Sequence, residues 1–171
     1  MSTIGLLSDS HGRADTTRRA VDLLIQEGAQ ILAHLGDVGS FQVLDELVAA
    51  DGANLRMVET HLVFGNVDLD IAGLDRYARH LGLCVDHPVG RLDLGPVELV
   101  FLHGDDLAAL SGAVAQGVRY VCHGHNHCAI DRCDGPTRVI NPGALFRARR
   151  YTVALLDTDR DTVNFYPIAK P

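Results

Sequence analysis

A chain of 171 residues, 47% of them apolar, can bury one sizeable core and is not a disordered polymer. No stretch reaches the unbroken apolar length of a membrane span. The start, MSTIGLLSDSHG, lacks the basic region and apolar core of a secretory signal, so a single cytoplasmic domain over 1–171 is expected. A net charge of −7 excludes a general groove for long nucleic acid, which needs a basic footprint. Only Lys170 of the 15 basic residues is lysine, so arginine remains for local contacts to a phosphate.

The apolar pattern alternates between strand and helix through the first half. Thr3–Leu7 reads as a buried strand. Ala14–Glu27 reads as a helix with Val21, Leu24 and Ile25 on one face, stopped by Gly28. Ile31–Leu35 is a second buried strand, and Ser40 caps a helix whose face is Val43, Leu44, Leu47 and Val48. Leu55–Phe64 is a third strand. Asp70 then caps a helix carrying Ile71, Leu74, Tyr77, Ala78 and Leu81, closed by Gly82.

After that helix the pattern changes. Val89–Leu94 and Val97–Leu102 flank Gly95-Pro96 as a hairpin, and a helix follows over Asp105–Gln116. Short strands are predicted at Val118–Cys122, Ala129–Cys133, Thr137–Ile140, Tyr151–Asp157 and Thr162–Tyr166. The order βαβαβα followed by mostly strand implies an α/β fold: a two-sheet β-sandwich flanked by helices.

Polar residues collect where the apolar strands end. The endings are SDSH with Asp9 and His11, LGD with Asp37, FGNVD with Asn66 and Asp68, FLHG with His103, and HGHNH with His125 and His127. Ligand sites of open α/β sheets lie outside the carboxyl ends of the strands. Carboxylate and amide oxygens mixed with imidazole nitrogens suit Mn²⁺, Fe²⁺, Zn²⁺, Ni²⁺ or Co²⁺, and the lack of cysteine excludes a thiolate zinc site there. Three of the Asp or Asn with the four His make seven ligands, more than one ion with open positions needs. They suit two divalent ions sharing a carboxylate, the arrangement that clamps both oxygens of a phosphoryl displacement. Gly36, Gly65, Gly104 and Gly124 adjoin these residues and permit neighbouring strand ends to converge.

In order and spacing, Asp9-x-His11, Gly36-Asp37, Gly65-Asn66, His103-Gly104 and Gly124-His125-Asn126-His127 resemble the five motifs of the calcineurin-like metallophosphoesterases. The short length and Asn141-Pro142-Gly143 are similar to the small bacterial and archaeal phosphodiesterase branch, which also includes the retromer scaffold subunit of eukaryotes. The resemblance implies Asp9, His11 and His127 at one metal, Asn66, His103 and His125 at the other, and Asp37 bridging. Manganese is the first expectation for the metal. A metal-bridging hydroxide would attack phosphorus in a small phosphate ester, with Asp37, Asn66 and Asp68 as catalytic positions.

Two departures stand out. Val67 occupies the place where many larger relatives carry a proton-donating histidine, which leaves Asp68 or water as the proton source, or leaving groups that need no proton. Ala144 replaces the serine common after Asn-Pro-Gly. Asp68 divides between catalysis and capping the helix before Ile71. His123 reads as a structural partner, His34 as a strand residue near the site but not a ligand, and His61, His80 and His87 as surface or satisfied residues. Arg147, Arg149 and Arg150 read as a solvated run, and the four cysteines as reduced thiols. The competing functions are a protein-binding scaffold, which would not need competent ligands, and a metal-sensing module. A homo-oligomer is compatible with either.

Overall fold

The computed structural model describes residues 2–48, 50–51 and 56–171. In chain order the elements are β1 (Thr3–Leu7), α1 (Ala14–Gln26), β2 (Ile31–Leu35), α2 (Phe41–Glu46), β3 (Ala50–Asp51), β4 (Arg56–Met57), β5 (Glu59–Val63), α3 (Ile71–His80), β6 (Cys84–Val85), β7 (Val89–Asp93), β8 (Glu98–Leu102), α4 (Leu107–Ala115), β9 (Tyr120–His123), β10 (Ala129–Asp134), β11 (Thr137–Pro142), β12 (Tyr151–Asp157) and β13 (Thr162–Ile168). One sheet runs β13-β12-β1-β2-β5-β6 and the other β10-β11-β9-β8-β7.

Strand alternation distributes the apolar residues over three layers of core. Ile4 and Leu6 of β1, Ala33 and Leu35 of β2, and Val63 of β5 point into the space between the sheets, where they meet Leu99, Phe101, Tyr120 and Cys122. Leu7, Leu32 and Leu62 point the other way, under Ala20, Val21 and Leu24 of α1, Val43 and Leu44 of α2, and Leu74 and Ala78 of α3. Val100, Leu102 and Val121 face α4 across the second sheet. Strands buried on both faces read as unbroken apolar runs, which is why β1, β2, β8 and β9 were visible in the sequence. The layers are helix, sheet, sheet, helix, as expected.

Three short stretches differ from the sequence reading. The single strand expected over Leu55–Phe64 is β4 and β5, interrupted at Val58, and β4 forms a two-stranded ladder with β3; Leu55 itself lies outside the described residues. The two-residue β6 extends the first sheet beside β5 and was not anticipated, because two residues carry no periodicity. The helix expected from Asp105 starts two residues later, at Leu107, with Asp106 capping the amides of Ala108 and Ala109. Among the described residues, no helix is long and apolar enough to cross a membrane.

Candidate metal centre

The carboxyl ends of β1, β2, β5, β8 and β9 open towards one another between the two sheets. The loops after β1 and β2 are tied by backbone hydrogen bonds from Asp9 to Gly36, His11 to Asp37 and Gly12 to Val38, each 2.9–3.0 Å long. This holds Asp9, His11 and Asp37 in one rigid turn pair. Asp9, His11, Asp37, His125 and His127 all have positive φ, between 45° and 68°. A left-handed backbone is unfavourable for side chains with a Cβ, and such strain persists only where surrounding structure enforces it. Here it aims these donors inward.

All seven predicted ligands meet. His11 Nε2 lies 3.4 Å from His127 Nε2, and His127 Nε2 lies 3.2 Å from Asp9 Oδ1. On the other side, Asn66 Oδ1 is 3.1 Å from His103 Nε2 and 3.1 Å from His125 Nδ1. Asp37 stands between: its Oδ2 is 3.4 Å from His11 Nε2, and its Oδ1 is 3.4 Å from His103 Nε2. Asp9, Asp37 and His103 form the buried floor, while Asn66 and His125 are exposed at the mouth.

This donor set fits a divalent cation. Asp9 Oδ1 is fully buried and has no hydrogen-bond partner, because His127 Nε2, though close, is out of alignment with it. An orphaned buried carboxylate oxygen is costly unless a cation satisfies it. Facing nitrogens on His11 and His127 repel each other unless a proton or metal lies between. His103 Nδ1 donates to the Leu35 carbonyl at 2.8 Å, so Nε2 is the nitrogen turned to the site, the orientation of a metal-ligating histidine.

Charge follows the same logic. Burial pushes the Asp9 carboxyl up. Burial also acts to raise Asp37, but hydrogen bonds from His103 and the Val67 amide outweigh it and hold the carboxyl low. Burial opposes charge on His103, yet the Asp37 contact, the Leu35 carbonyl and the two buried carboxylates lift the ring to about 9. The cavity thus draws positive charge to the place where a cation would sit.

Several neighbouring residues brace the ligands. His34 is fully buried under the Asp9–His11 turn. Its Nε2 is 2.8 Å from Ser10 Oγ and its Nδ1 accepts from the Gly36 amide at 3.3 Å. Burial holds its pKa at about 3, against 6.5 for a free ring. Between those values the unfolded chain binds a proton on this ring and the folded protein does not. Stability therefore falls as pH drops through that window, by about 1.4 kcal/mol per unit. In urea unfolding of the metal-stripped protein, going from about pH 7 to about pH 5.5 will cost the parent roughly 1 kcal/mol more than it costs His34→Gln. Equal losses would refute this assignment.

Asp68 corrects the sequence reading. The helix cap belongs to Asp70, whose side chain accepts from the Gly73 amide. Asp68 is buried, and its oxygens accept from the amides of Val38 (3.1 Å), Gly39 (2.7 Å) and Gly65 (2.9 Å). With both oxygens taken up by backbone amides, Asp68 clamps the β2 and β5 loops.

Asn141 does more than turn the chain. Its Nδ2 donates to the Gly124 carbonyl at 2.7 Å and to Asn126 Oδ1 at 2.9 Å, fastening the loop that carries His125 and His127. His123 is buried beside this clamp, its Nδ1 3.4 Å from Asn141 Nδ2, as a structural partner. Arg147 is not simply part of a solvated run. It and Arg13 stack on Phe146, at 5.1 and 4.6 Å, and the Phe146 ring lies 5.2 Å from that of His11. Arg149 and Arg150 are exposed as expected. The Asn-Pro-Gly motif marks Asn141 only as a turn, and sequence spacing gives no signal for Arg13, because the partners of both are remote in the chain.

Residues 2–161 match the family described as the calcineurin-like phosphoesterase superfamily domain. This chain belongs to that superfamily. Like other calcineurin-like phosphoesterases it carries candidate metal-binding side chains, here Asp9, His11, Asp37, His103 and His127 in two overlapping groups. It is 24% identical over 162 residues to Phosphodiesterase MJ0936 of Methanocaldococcus jannaschii, covering 92% of this chain and 93% of the relative. Its fold is similar to that of an archaeal phosphodiesterase, with a TM-score of 0.83 at 22% identity, over 96% of this chain and 99% of that one. It is also similar to Vps29 of Entamoeba histolytica complexed with Zn²⁺, with a TM-score of 0.64 at 16% identity, over 96% and 91% of the two chains. At these identities the structural likeness carries the fold and nothing finer.

Proposed function

We propose that this calcineurin-like phosphoesterase is a phosphodiesterase working with two divalent cations, one held by Asp9, His11 and His127 and one by Asn66, His103 and His125. The observation that carries the reading is the division of Asp37, one carboxylate oxygen facing each histidine set. When bound, such a pair supplies Lewis acidity to the phosphoryl group and brings the pKa of water towards neutrality. Nitrogen and oxygen donors without sulfur make Mn²⁺ the first choice, with Fe²⁺, Zn²⁺, Ni²⁺ and Co²⁺ also compatible.

The chain's own residues shape the substrate. A groove of about 460 Å³ opens beside Asn66 and His103, walled by Phe64, Leu69, Ile71, His87 and Val89. Leu69 is 94% exposed, an apolar side chain that a substrate can cover. Arg13 and Arg147 lie on the opposite flank, near His11. The substrate reading is therefore a small phosphodiester with an apolar ester group in the groove and its anionic part towards the arginines. Val67 has no proton to give and Asp68 is engaged by amides, so hydrolysis favours leaving groups that depart without protonation.

The test is to strip metal, restore Mn²⁺, Fe²⁺, Co²⁺, Ni²⁺ or Zn²⁺ singly, and assay an aryl phosphodiester against the matched monoester. At least one ion will restore diester hydrolysis. Leu69→Ser will raise KM for the aryl diester by roughly tenfold, the worth of one covered leucine, with kcat unchanged. Ion binding without hydrolysis of any ester would instead favour the scaffold or sensing role.

A further inference from the structure

We propose a second, separate metal site, for one borderline thiophilic ion such as Zn²⁺, built from Glu59, His61 and Cys84 with Asp86 behind the histidine. In the parallel pair of β5 and β6, His61 stands opposite Cys84. Glu59 lies two residues before His61 on the same strand face, and Asp86 two residues after Cys84. One donor atom from each of Glu59, His61 and Cys84 lies within 4.8 Å of the other two.

The histidine is held as a ligand would be. Its Nδ1 is 2.8 Å from Asp86 Oδ2, and its Nε2 is 3.2 Å from Glu59 Oε1. A neutral imidazole has one N–H for these two carboxylates, so unless the ring is protonated one nitrogen faces an oxygen lone pair, a place that a cation can fill. With the proton on Nδ1 towards Asp86, Nε2 is bare on the side of Glu59. A carboxylate behind a ligating ring is the usual support of a metal-bound histidine. The ring also packs edge-on to Phe101, 6.3 Å between centroids, which limits its rotation.

Thiolate, imidazole and carboxylate together select zinc-type ions over Mn²⁺ or Mg²⁺, the opposite preference to the sulfur-free Asp37 centre. Burial, with Glu59 and Asp86 nearby, keeps the Cys84 thiol protonated, so binding would replace that proton by the ion. The Glu59 side chain is 61% exposed, which gives an ion a way in. Occupancy would fasten β6, a two-residue edge strand, to β5. The chain beyond β6 supplies His87 and Val89 to the groove wall.

Titration of the reduced, metal-stripped full chain with Co²⁺ tests the proposal. A thiolate-to-cobalt charge-transfer band in the near ultraviolet can come from Cys84 but not from the seven donors at Asp37, which include no sulfur. The band will form in the parent protein and survive in Asp37→Asn and Cys128→Ser. It will vanish in Cys84→Ser, which will keep its diester hydrolysis. Glu59→Gln, a change at an exposed edge position, will weaken Co²⁺ affinity for this band roughly tenfold, and it keeps the test readable if Cys84 variants fail to fold. No band in the parent protein, or a band that persists in Cys84→Ser or is lost in Cys128→Ser, overturns the site. Because the band does not depend on hydrolysis, its outcome is separate from that of the phosphodiesterase reading.

Discussion

Asp37→Asn will lower kcat/KM for diester hydrolysis by roughly 10³-fold or more, about 4 kcal/mol of transition-state stabilisation. Asp37 has one carboxylate oxygen beside each histidine set, Oδ2 on the His11 side and Oδ1 on the His103 side. Asparagine keeps the shape but loses the charge and replaces one oxygen with an amide nitrogen, which cannot ligate a cation. It also removes the hydrogen bond and charge that raise the His103 ring, so that ring will titrate below its value of about 9 in the parent protein. Steady-state kinetics and metal content after dialysis measure the first effect, and NMR titration of the His103 ring in metal-stripped protein measures the second. A variant with the parent's rate and metal content would remove Asp37 from the centre of the mechanism.

Gly65→Ala is expected to cost about 10²-fold in the same assay, although the substitution adds a single methyl group. A Cβ at position 65 would lie 2.2 Å from Asp37 Oδ1, 2.6 Å from the Asp37 amide nitrogen and 2.7 Å from His103 Nε2. Two of these are donors aimed at the site and the third is backbone, so relief comes by displacing Asp37, His103 or the β2 loop. Displacing a catalytic group by about 1 Å costs on the order of 10²-fold. Gly112→Ala in α4 is the matched control, because a Cβ there meets nothing within 4 Å. It will leave the rate unchanged and favour the helix by up to about 1 kcal/mol. Comparable rates for Gly65→Ala and the parent would show that the β5 loop yields without moving Asp37.

Asp68 and Asn141 show where reading along the chain fell short. Asp68 sits between a ligand motif and a helix start, and both neighbours offered it a role. Its actual partners, the amides of Val38 and Gly39, belong to a loop thirty positions earlier. Asn141 sits in an Asn-Pro-Gly turn signal, yet its side chain reaches back to Gly124 and Asn126. Hydrogen bonds to backbone amides and carbonyls leave no pattern in spacing, because every residue type but proline supplies both groups. His61 reads from the sequence as a surface or satisfied residue, and nothing in spacing links it to Cys84, which comes beside it only when the short strand β6 pairs with β5.

The amino-acid sequence by itself determined the layered α/β order and the seven donors at strand ends. Burial on both faces imposes long apolar runs, and a polar residue that interrupts them at a fixed place is conspicuous. Only the tertiary structure decided that the seven donors meet with one Asp37 oxygen towards each histidine set, that Asp68 and Asn141 hold loops in place, and that Glu59, His61 and Cys84 converge elsewhere. Those facts depend on distances between residues far apart in the chain, which sheet pairing and loop closure set and local sequence does not encode.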